Sequence, residues 1–294
     1  MSREELEELL EESLDILRRA GFIAETISYP ENKRSIDIVS ANDKYRLLVK
    51  ITVNTRELSS IECIDLKKAA KAYSATPLIV SRLDDKQEIE DDVVIKKSGI
   101  NTVTTTLLRN YLLSREKPLV FKERGAYLVK IDPKEFRRKR IKYNYSFGAL
   151  ALELGVSRRA VYGYERGTTA VTVDTAIKIA EILGEEVLKP IDILSYEASK
   201  GSVSDEPITR VEKALTRLCT SREECEFYKL VKTPIDYVIR TEKSILSIVF
   251  KRESDREFKF KIREAMRIAQ IIRSREYVIR DKKDIDTLQK LIGF

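Results

Sequence analysis

Two adjacent arginines, Arg158 and Arg159, lie in the stretch ELGVSRRAVYGYERG, residues 153–167. A guanidinium group carries planar N–H donors that match the paired acceptor atoms of guanine or the oxygens of a phosphate. Tyr162, one helical turn further on, adds a hydroxyl and a ring to the same side. Taken alone, these side chains are most often a solvated helix face. The short helices predicted around them favour a binding role.

The middle of the chain is predicted to form four short helices separated by turn residues. Asn144 tolerates the left-handed conformation with which a chain leaves a helix, and Gly155 can adopt the positive φ of a tight turn. Ser146 and Ser157 are placed to cap the second and third helices, and Gly167 ends the third. The predicted domain is 133–196, with helices at 133–142, 147–153, 158–166 and 172–184.

The third helix has an apolar side formed by Ala160, Val161 and Tyr164. This side turns the two arginines and Tyr162 outward near the helix N-terminus, where a recognition helix in the major groove carries its base-reading side chains. The expected base contacts are Arg158, Arg159 and Tyr162. The expected phosphate contacts are Ser146, Ser157, Arg137, Arg138, Lys142 and Arg166.

The segments RIKYNYS, LALELGVS, YERG and AIKIAEILG, in this order, resemble the Cro and phage-repressor helix-turn-helix, also called the XRE type. The resemblance implies a structural ion pair between Arg140 of the first helix and Glu165 of the ERG segment. Members of this family often open the second helix with a glutamine that helps to contact phosphate. Phe147 holds that position here, so this contact is not expected.

The flanking regions are predicted to be two α/β units that are copies of one another. With an offset of 199 residues, SIDIVSANDKYRLLV (35–49) falls on PIDYVIRTEKSILSI (234–248), and Asp37 falls on Asp236. The alternative is two unrelated α/β units of similar element order. The expected fold is therefore two α/β domains around an all-α helix-turn-helix domain. The predicted divisions are 1–114, a hairpin connector 115–132, 133–196, a linker 197–207, and 208–294.

The first unit resembles the PD-(D/E)xK nuclease superfamily, which includes archaeal Holliday-junction resolvases. In that superfamily an Asp on one strand and Glu-x-Lys on the next hold Mg²⁺ and activate water. Asp37 and Lys50 match the first and last of these positions, but Leu48 stands where the middle acid belongs.

The second unit departs further from the nuclease pattern. Asp236 remains, but Ser247 and Val249 stand where the acid and the lysine would be.

An acid of the first helix of the first unit could supply another ligand to the metal, and the candidates are Glu7, Glu8, Glu11 and Glu12. One strand carboxylate seldom holds a catalytic Mg²⁺. Both units are therefore expected to be inactive relatives that serve folding, dimer contacts or contacts to the duplex backbone.

The composition excludes several other chemistries. The 294 residues contain no His, so a Ser-His-Asp triad, a Cys-His dyad and a His metal site are absent. Of the three cysteines, Cys219 and Cys225 lie six residues apart. They are interpreted as unremarkable helix cysteines, with a disulfide as the alternative and a zinc site disfavoured. No Gly-rich phosphate loop is present, and no cofactor is expected.

The charge distribution points mildly to a polyanionic partner. Net charge is +7, with −1 over residues 1–132, +3 over 133–195 and +5 over 196–294. No apolar run approaches the roughly 18 residues of a membrane span, and the acidic, amphipathic N-terminus is not a signal peptide. The expected location is cytoplasmic.

The whole arrangement resembles a family of archaeal HTH-type transcriptional regulatory proteins. It predicts a sequence-specific regulator that binds double-stranded DNA at a palindrome as a homodimer. The dimer contact is expected in the α/β units, whose first helix carries an apolar stripe formed by Leu6, Leu9, Leu10 and Leu14. The alternative functions are an Mg²⁺-dependent nuclease targeted by the helix-turn-helix domain and an architectural chromatin protein.

Overall fold

The computed structural model describes residues 3–30, 34–196, 207, 209–220, 225–251, 254–280, 284, 287 and 288. Within these ranges the chain forms two α/β units with a set of short helices between them. The predicted linker lies outside the described residues, except for Pro207. No helix in the described ranges is long and apolar enough to cross a membrane.

The first unit is a mixed sheet with a helix on each face. The strand order is β1-β2-β3-β4-β8-β7, and β3, β4 and β8 run parallel. A second, two-stranded sheet is formed by β5 and β6. The elements are α1 (Arg3–Arg19), β1 (Ile23–Thr26), β2 (Ile38–Ala41), β3 (Arg46–Ile51), α2 (Ser60–Tyr73), β4 (Thr76–Val80), β5 (Leu83–Asp84), β6 (Gln87–Glu88), β7 (Val93–Lys97), β8 (Ile100–Val103) and α3 (Thr105–Arg109).

The apolar stripe of α1 covers the sheet of its own unit. Leu9 is buried in the core on this face, and Leu6, Leu10 and Leu14 are partly buried against the same core. The stripe is therefore not a surplus apolar surface, which corrects the reason for which it was expected to make a dimer contact. Amphipathic helices commonly cover their own sheets in this way.

The middle region contains the four expected helices together with short strands. Its elements are β9 (Val120–Glu123), β10 (Ala126–Ile131), α4 (Pro133–Lys142), α5 (Phe147–Leu154), α6 (Arg158–Glu165), β11 (Val171–Thr172), α7 (Val173–Leu183) and β12 (Leu188–Lys189). Both β11 and β12 pair with β10, and β9 runs parallel to β7 of the first unit. The expected all-α domain thus needs a correction, because two short strands join its helices to the first sheet.

The second α/β unit repeats the strand arrangement of the first. Its elements are α8 (Arg210–Thr220), β13 (Glu226–Lys229), β14 (Tyr237–Arg240), β15 (Ile245–Phe250), α9 (Asp255–Ile272) and β16 (Arg275–Ile279). Ile38 pairs with Val49 in the first unit, and Tyr237 pairs with Ile248 in the second, an offset of 199 on both strands. The next, parallel pairing keeps that offset, since Leu47–Thr76 corresponds to Leu246–Arg275.

The cysteine pair differs from the favoured interpretation. Cys219 lies in α8, but Cys225 lies outside the helix, directly before β13, and the two are joined by a disulfide. Cys63 of α2 is buried and free. The disulfide alternative is therefore the one that the structure has.

The two α/β units pack against each other through α2 and α9. Helix α2 contacts β13 and β14 of the second unit, and α9 contacts β1 and β2 of the first. One hydrophobic core contains residues of both units. The first unit contributes Val39, Leu48, Leu66 and Tyr73 among others, and the second contributes Val238, Val249, Ile268 and Ile272. Each helix is therefore covered on two sides by sheet.

Two buried carboxylates connect the units at equivalent places. Asp65 of α2 accepts hydrogen bonds from the backbone N–H groups of Val231 (2.7 Å) and Lys232 (3.0 Å). Glu264 of α9, 199 residues later, accepts one from the backbone N–H of Ser28 (2.8 Å). Burial raises the pKa of the Asp65 carboxyl, although these hydrogen bonds oppose the shift. Because each unit bonds the backbone of the other through an equivalent helix carboxylate, the two units are related by an approximate two-fold axis.

Candidate nucleic-acid interface

Helices α5 and α6 are fixed by serine caps on either side of a tight turn. The Ser146 hydroxyl accepts a hydrogen bond from the backbone N–H of Ala149 (3.0 Å), and the Ser157 hydroxyl accepts one from that of Ala160 (3.1 Å). Gly155, between the helices, has a φ of 66°. A side chain at this position would be strained. These local signals therefore define where α6 begins.

The burial of α6 separates an inner from an outer side. Val161 and Tyr164 are buried, and Ala160 is half-buried. Arg158 and Arg159 are exposed, and Tyr162 has 48% of its surface exposed. The rings of Tyr164 and Phe136 of α4 pack edge to face, with 6.3 Å between their centroids. The buried side of α6 thus holds the helix in place, while its first turn remains accessible to a partner.

Arg140 and Glu165 form an ion pair between α4 and the end of α6. Their nearest atoms, Nε and Oε2, are 2.7 Å apart, and only 12% of each side chain is exposed. Arg140 also donates to the backbone carbonyl of Tyr145 (2.8 Å). The arginine therefore connects three helices by holding the end of α6 against the segment that precedes α5.

Phe147 forms aromatic contacts where related domains often have a glutamine. The Arg140 guanidinium lies 4.2 Å from the centroid of the Phe147 ring, and that ring meets Tyr162 edge to face at 5.9 Å. Arg166 donates to the Tyr162 hydroxyl (2.7 Å), and this hydrogen bond raises the pKa of the arginine. Tyr162 is therefore positioned from both sides.

Gly148 contributes a feature that sequence reasoning missed. A Cβ atom on Gly148 would lie 3.0 Å from Nε of Arg158, so this guanidinium rests on the first turn of α5. The signal was a glycine inside a predicted helix, where it costs stability relative to alanine. Because glycine has no side chain, the guanidinium of Arg158 can lie between α5 and α6.

The remaining predicted phosphate contacts differ in how free their charges are. Arg138 makes two hydrogen bonds to Glu135 (2.6 and 2.8 Å), which raise the pKa of the arginine. Arg137 lies 3.8 Å from Glu165, while most of its side chain is exposed. Lys142 is exposed, with its ammonium near the ring of Tyr143. The structure thus brings Arg137 to the ion pair and leaves Lys142 at the surface.

The nuclease-like position of the first unit is occupied by ion pairs. Asp37 contacts Arg34 and the Lys50 ammonium, the latter at 3.2 Å, and accepts a hydrogen bond from the backbone N–H of Ile51 (2.7 Å). Glu62 of α2 lies 3.6 Å from the same ammonium. Burial opposes ionisation of Glu62, but hydrogen bonds from Ser59 and the charge of Lys50 keep its pKa below the ordinary value.

The second unit also has an Asp–Lys pair, but its lysine lies on a helix. Asp236 accepts a hydrogen bond from the backbone N–H of Phe250 (2.7 Å) and lies 2.8 Å from the Lys261 ammonium. Lys261 belongs to α9 and stands 199 residues after Glu62, whereas Val249 replaces the strand lysine. The offset of 199 residues is the sequence signal for Lys261, because extending it from the strands into the helix places Lys261 at the position of Glu62.

The positions of the missing acids serve the contact between the units. Leu48 is fully buried in the core to which both units contribute. Ser247 is also fully buried, and its hydroxyl lies 2.9 Å from the Tyr73 hydroxyl of the first unit. A carboxylate at either position would have to be desolvated inside this core, which is costly without a partner.

The residues around Asp37 and Asp236 do not fit a catalytic Mg²⁺. Cationic side chains already occupy the carboxylate oxygens, whereas Mg²⁺ requires several free oxygen ligands in near-octahedral geometry. Of the candidate acids of α1, Glu7, Glu8 and Glu12 are paired with Arg3, Arg82 and Arg109, and Glu11 is exposed. Among the described residues no group of three His, Cys, Asp or Glu side chains could hold a metal.

Comparisons with protein families support both parts of this description. Residues 6–118 match the family model of a PD-(D/E)XK superfamily domain, and residues 136–188 match that of a helix-turn-helix. No solved structure matches the chain.

Archaeal relatives share most of the chain. A Pyrococcus furiosus protein is 30% identical over 295 residues, which span 99% of this chain and 91% of the relative. A Pyrococcus abyssi protein is 31% identical over 249 residues, 85% of this chain and 77% of the relative. A Sulfolobus acidocaldarius protein is 39% identical over 189 residues, 63% of this chain and 60% of the relative. All three are provisionally named HTH-type transcriptional regulatory proteins.

Proposed function

We propose that this chain, which belongs to the archaeal family of HTH-type transcriptional regulatory proteins, is a regulator that recognises a specific sequence of double-stranded DNA through α6. The observation that carries the proposal is the exposed first turn of α6, with Arg158, Arg159 and Tyr162 outward and the opposite side of the helix buried. A helix presented in this way suits insertion into the major groove.

The proposed contacts divide into base and phosphate contacts. Arg158, Arg159 and Tyr162 read base edges, because guanidinium and hydroxyl groups can bond the acceptors in the major groove. The exposed surface around α6 carries the cations that contact the phosphate backbone of the DNA, namely Arg137, Lys142 and Arg166. Ser146, Ser157 and Arg138 are also proposed at phosphates. Ser146 and Ser157 already cap helices, and Arg138 is paired with Glu135, so these three contribute less.

Alanine substitution at Arg158 or Arg159 tests the recognition helix. Each variant is expected to lose about 1–3 kcal/mol of specific binding and to relax base preference. Arg56→Ala, in the first α/β unit, is the matched control because its side chain is exposed and far along the chain from α6. Gel-shift titrations of genomically selected and random duplexes at several salt concentrations provide the measurement. Unchanged discrimination in both variants would instead support an architectural protein.

The α/β units are proposed as a scaffold without nuclease activity. Support comes from the cations that face Asp37 and Asp236, and from Leu48 and Ser247 inside the shared core. Incubation with duplex, nicked and four-way DNA in Mg²⁺ or Mn²⁺ should leave every substrate intact. Cleavage that disappears in Asp37→Ala would contradict this proposal.

The two units are further proposed to be duplicated copies. The common offset of the β2–β3–β4 and β14–β15–β16 registers supports this origin. So do the left-handed residues Ser74 and Arg273 at the ends of α2 and α9, which are also 199 positions apart.

A homodimer that binds a palindrome is also proposed. One helix-turn-helix reads only a few base pairs, which is too little to select a site in a genome. Two copies related by a two-fold axis would place α6 in half-sites about 34 Å or a multiple apart. Light scattering of the full chain, alone and with a palindromic duplex, should give two copies per complex. A monomer that binds a single half-site tightly would exclude the dimer.

A further inference from the structure

A cavity of about 250 Å³ lies where the helix-turn-helix region joins the first α/β unit. Three lysines line it: Lys96 of β7, Lys130 of β10 and Lys189 of β12. The rest of its wall is formed by Gly99 and Asn101 and by the segment that follows β12, including Asp192 and Ser195. The cavity lies outside both α6 and the nuclease-like positions.

Two of the lysines are directly opposed across a strand pair. Lys130 is the register partner of Lys189 in the β10–β12 ladder. Side chains at directly opposed positions have Cβ atoms about 4.5–5.5 Å apart, and like charges there are destabilising. Among the described residues, neither ammonium has a hydrogen bond or an ion pair. The strand pair therefore holds two positive charges together without a counter-charge.

The third lysine is fixed toward the same space. Lys96 donates to the side-chain oxygen of Asn101, its cross-strand partner. Asn101 is buried and donates in turn to the backbone carbonyl of Ile193 (3.1 Å). The position of Lys96 is thus set by β8 and by the returning segment.

The single acid of the cavity wall is already engaged. The Asp192 carboxylate accepts hydrogen bonds from the Tyr111 hydroxyl (2.6 Å) and the backbone N–H of Leu194 (3.0 Å). It also stabilises the turn of the segment, and among the described residues it forms no ion pair with Lys130 or Lys189. The cavity has a net positive charge.

We propose that this cavity binds a small multivalent oxyanion, such as the phosphate groups of a phosphorylated metabolite. Lysine ammoniums bind phosphate as compact point charges and need no planar fork. The concave shape and the small volume suit a free molecule better than the backbone of a duplex. The bound anion would supply the counter-charge that the Lys130–Lys189 pair lacks.

The test uses the full-length chain with inorganic pyrophosphate as the probe and citrate as the carboxylate alternative. Calorimetry should show saturable binding of one pyrophosphate per chain. Lys130→Gln and Lys189→Gln should each weaken it by about tenfold, because each removes a charge-assisted hydrogen bond. Lys86→Gln, an exposed lysine in the β5–β6 turn, is the control and should bind like the parent. Tighter binding of citrate would assign the site to carboxylates.

Thermal unfolding gives a second readout, in which the effect of Lys130→Gln on the melting temperature depends on whether an anion is present. Without anion, Lys130→Gln should melt at the same temperature as the parent or higher, because it relieves the like-charge contact. With pyrophosphate, at ionic strength matched by NaCl, the parent should gain melting temperature and the variant should gain less. Three results would overturn the site. They are no saturable binding of either anion, binding by both glutamine variants that is as tight as binding by the parent, and loss of duplex binding in these variants without any anion binding.

Discussion

The two α/β units keep the same ion pair in different ways. In the first, Asp37 faces Lys50 of β3, and Arg34 is a second cation. In the second, Asp236 faces Lys261 of α9. In both, the aspartate also accepts the backbone N–H of the residue 14 positions later.

This difference shows which property the two nuclease-like positions have in common. The strand lysine of a PD-(D/E)xK site has a fixed place because it acts beside a metal. Here the lysine lies on a strand in the first unit and on a helix in the second, yet the aspartate has a cationic partner in both. The property common to both units is therefore the compensation of a buried carboxylate by a nearby cation.

The largest effect is expected from removing either aspartate. Asp37→Ala leaves Lys50 and Arg34 without their buried partner, and Asp236→Ala does the same to Lys261. Each should lower the free energy of unfolding by about 3–5 kcal/mol, since an uncompensated buried charge remains. Urea denaturation measures this. Asp85→Ala, at an exposed pair with Arg56, should cost less than about 1 kcal/mol. A similar small loss at Asp37 would show that the pair is not a buried constraint.

A smaller effect is expected from the carboxylates that connect the units. Asp65→Ala leaves two backbone N–H groups without an acceptor, so it should cost about 2–4 kcal/mol. Glu264→Ala leaves one, that of Ser28, and should cost about 1–3 kcal/mol. Denaturation of both variants under the same conditions checks the order. The reverse order would mean that the two contacts are less equivalent than their positions suggest.

The smallest and most specific effect is expected from moving the lysine. Lys50→Val with Glu62→Lys gives the first unit the arrangement of the second. The two changes should compensate each other, with a coupling of about 1 kcal/mol in a double-mutant cycle. A residual cost of about 1 kcal/mol should remain, because Glu62 also completes the capping box of α2. Strict additivity would argue against interchangeable positions and against the duplication.

Much of the fold could be predicted because its signals are local. Ser146, Gly155 and Ser157 act within one turn of their own helices, and the structure has them as two caps and a tight turn. The helix-turn-helix and the PD-(D/E)XK unit are both predicted from the resemblance of their motifs to known families, and both family matches confirm them.

The remainder depended on contacts between distant parts of the chain. Nothing in the apolar side of α2 or α9 states that the other unit covers it. Lys261 reaches Asp236 only when α9 packs on its sheet, and β11 and β12 are too short to give an alternating pattern. The stripe of α1 is a similar case, because an apolar stripe does not identify the surface that it covers.

The attachment of the helix-turn-helix region has a mechanical consequence. The region enters through β9 and β10, which extend the first sheet, and leaves through a segment whose Ile193 and Leu194 carbonyls accept hydrogen bonds from Asn101 and Thr76. It is therefore held at both ends on one body and does not hang from a flexible tether. A DNA-binding region fixed in this way cannot rotate to reach a half-site that lies on another side of the duplex. In a pair of such chains, the distance and the rotation between half-sites would become part of what is recognised, and DNA would have to twist or bend to fit the protein.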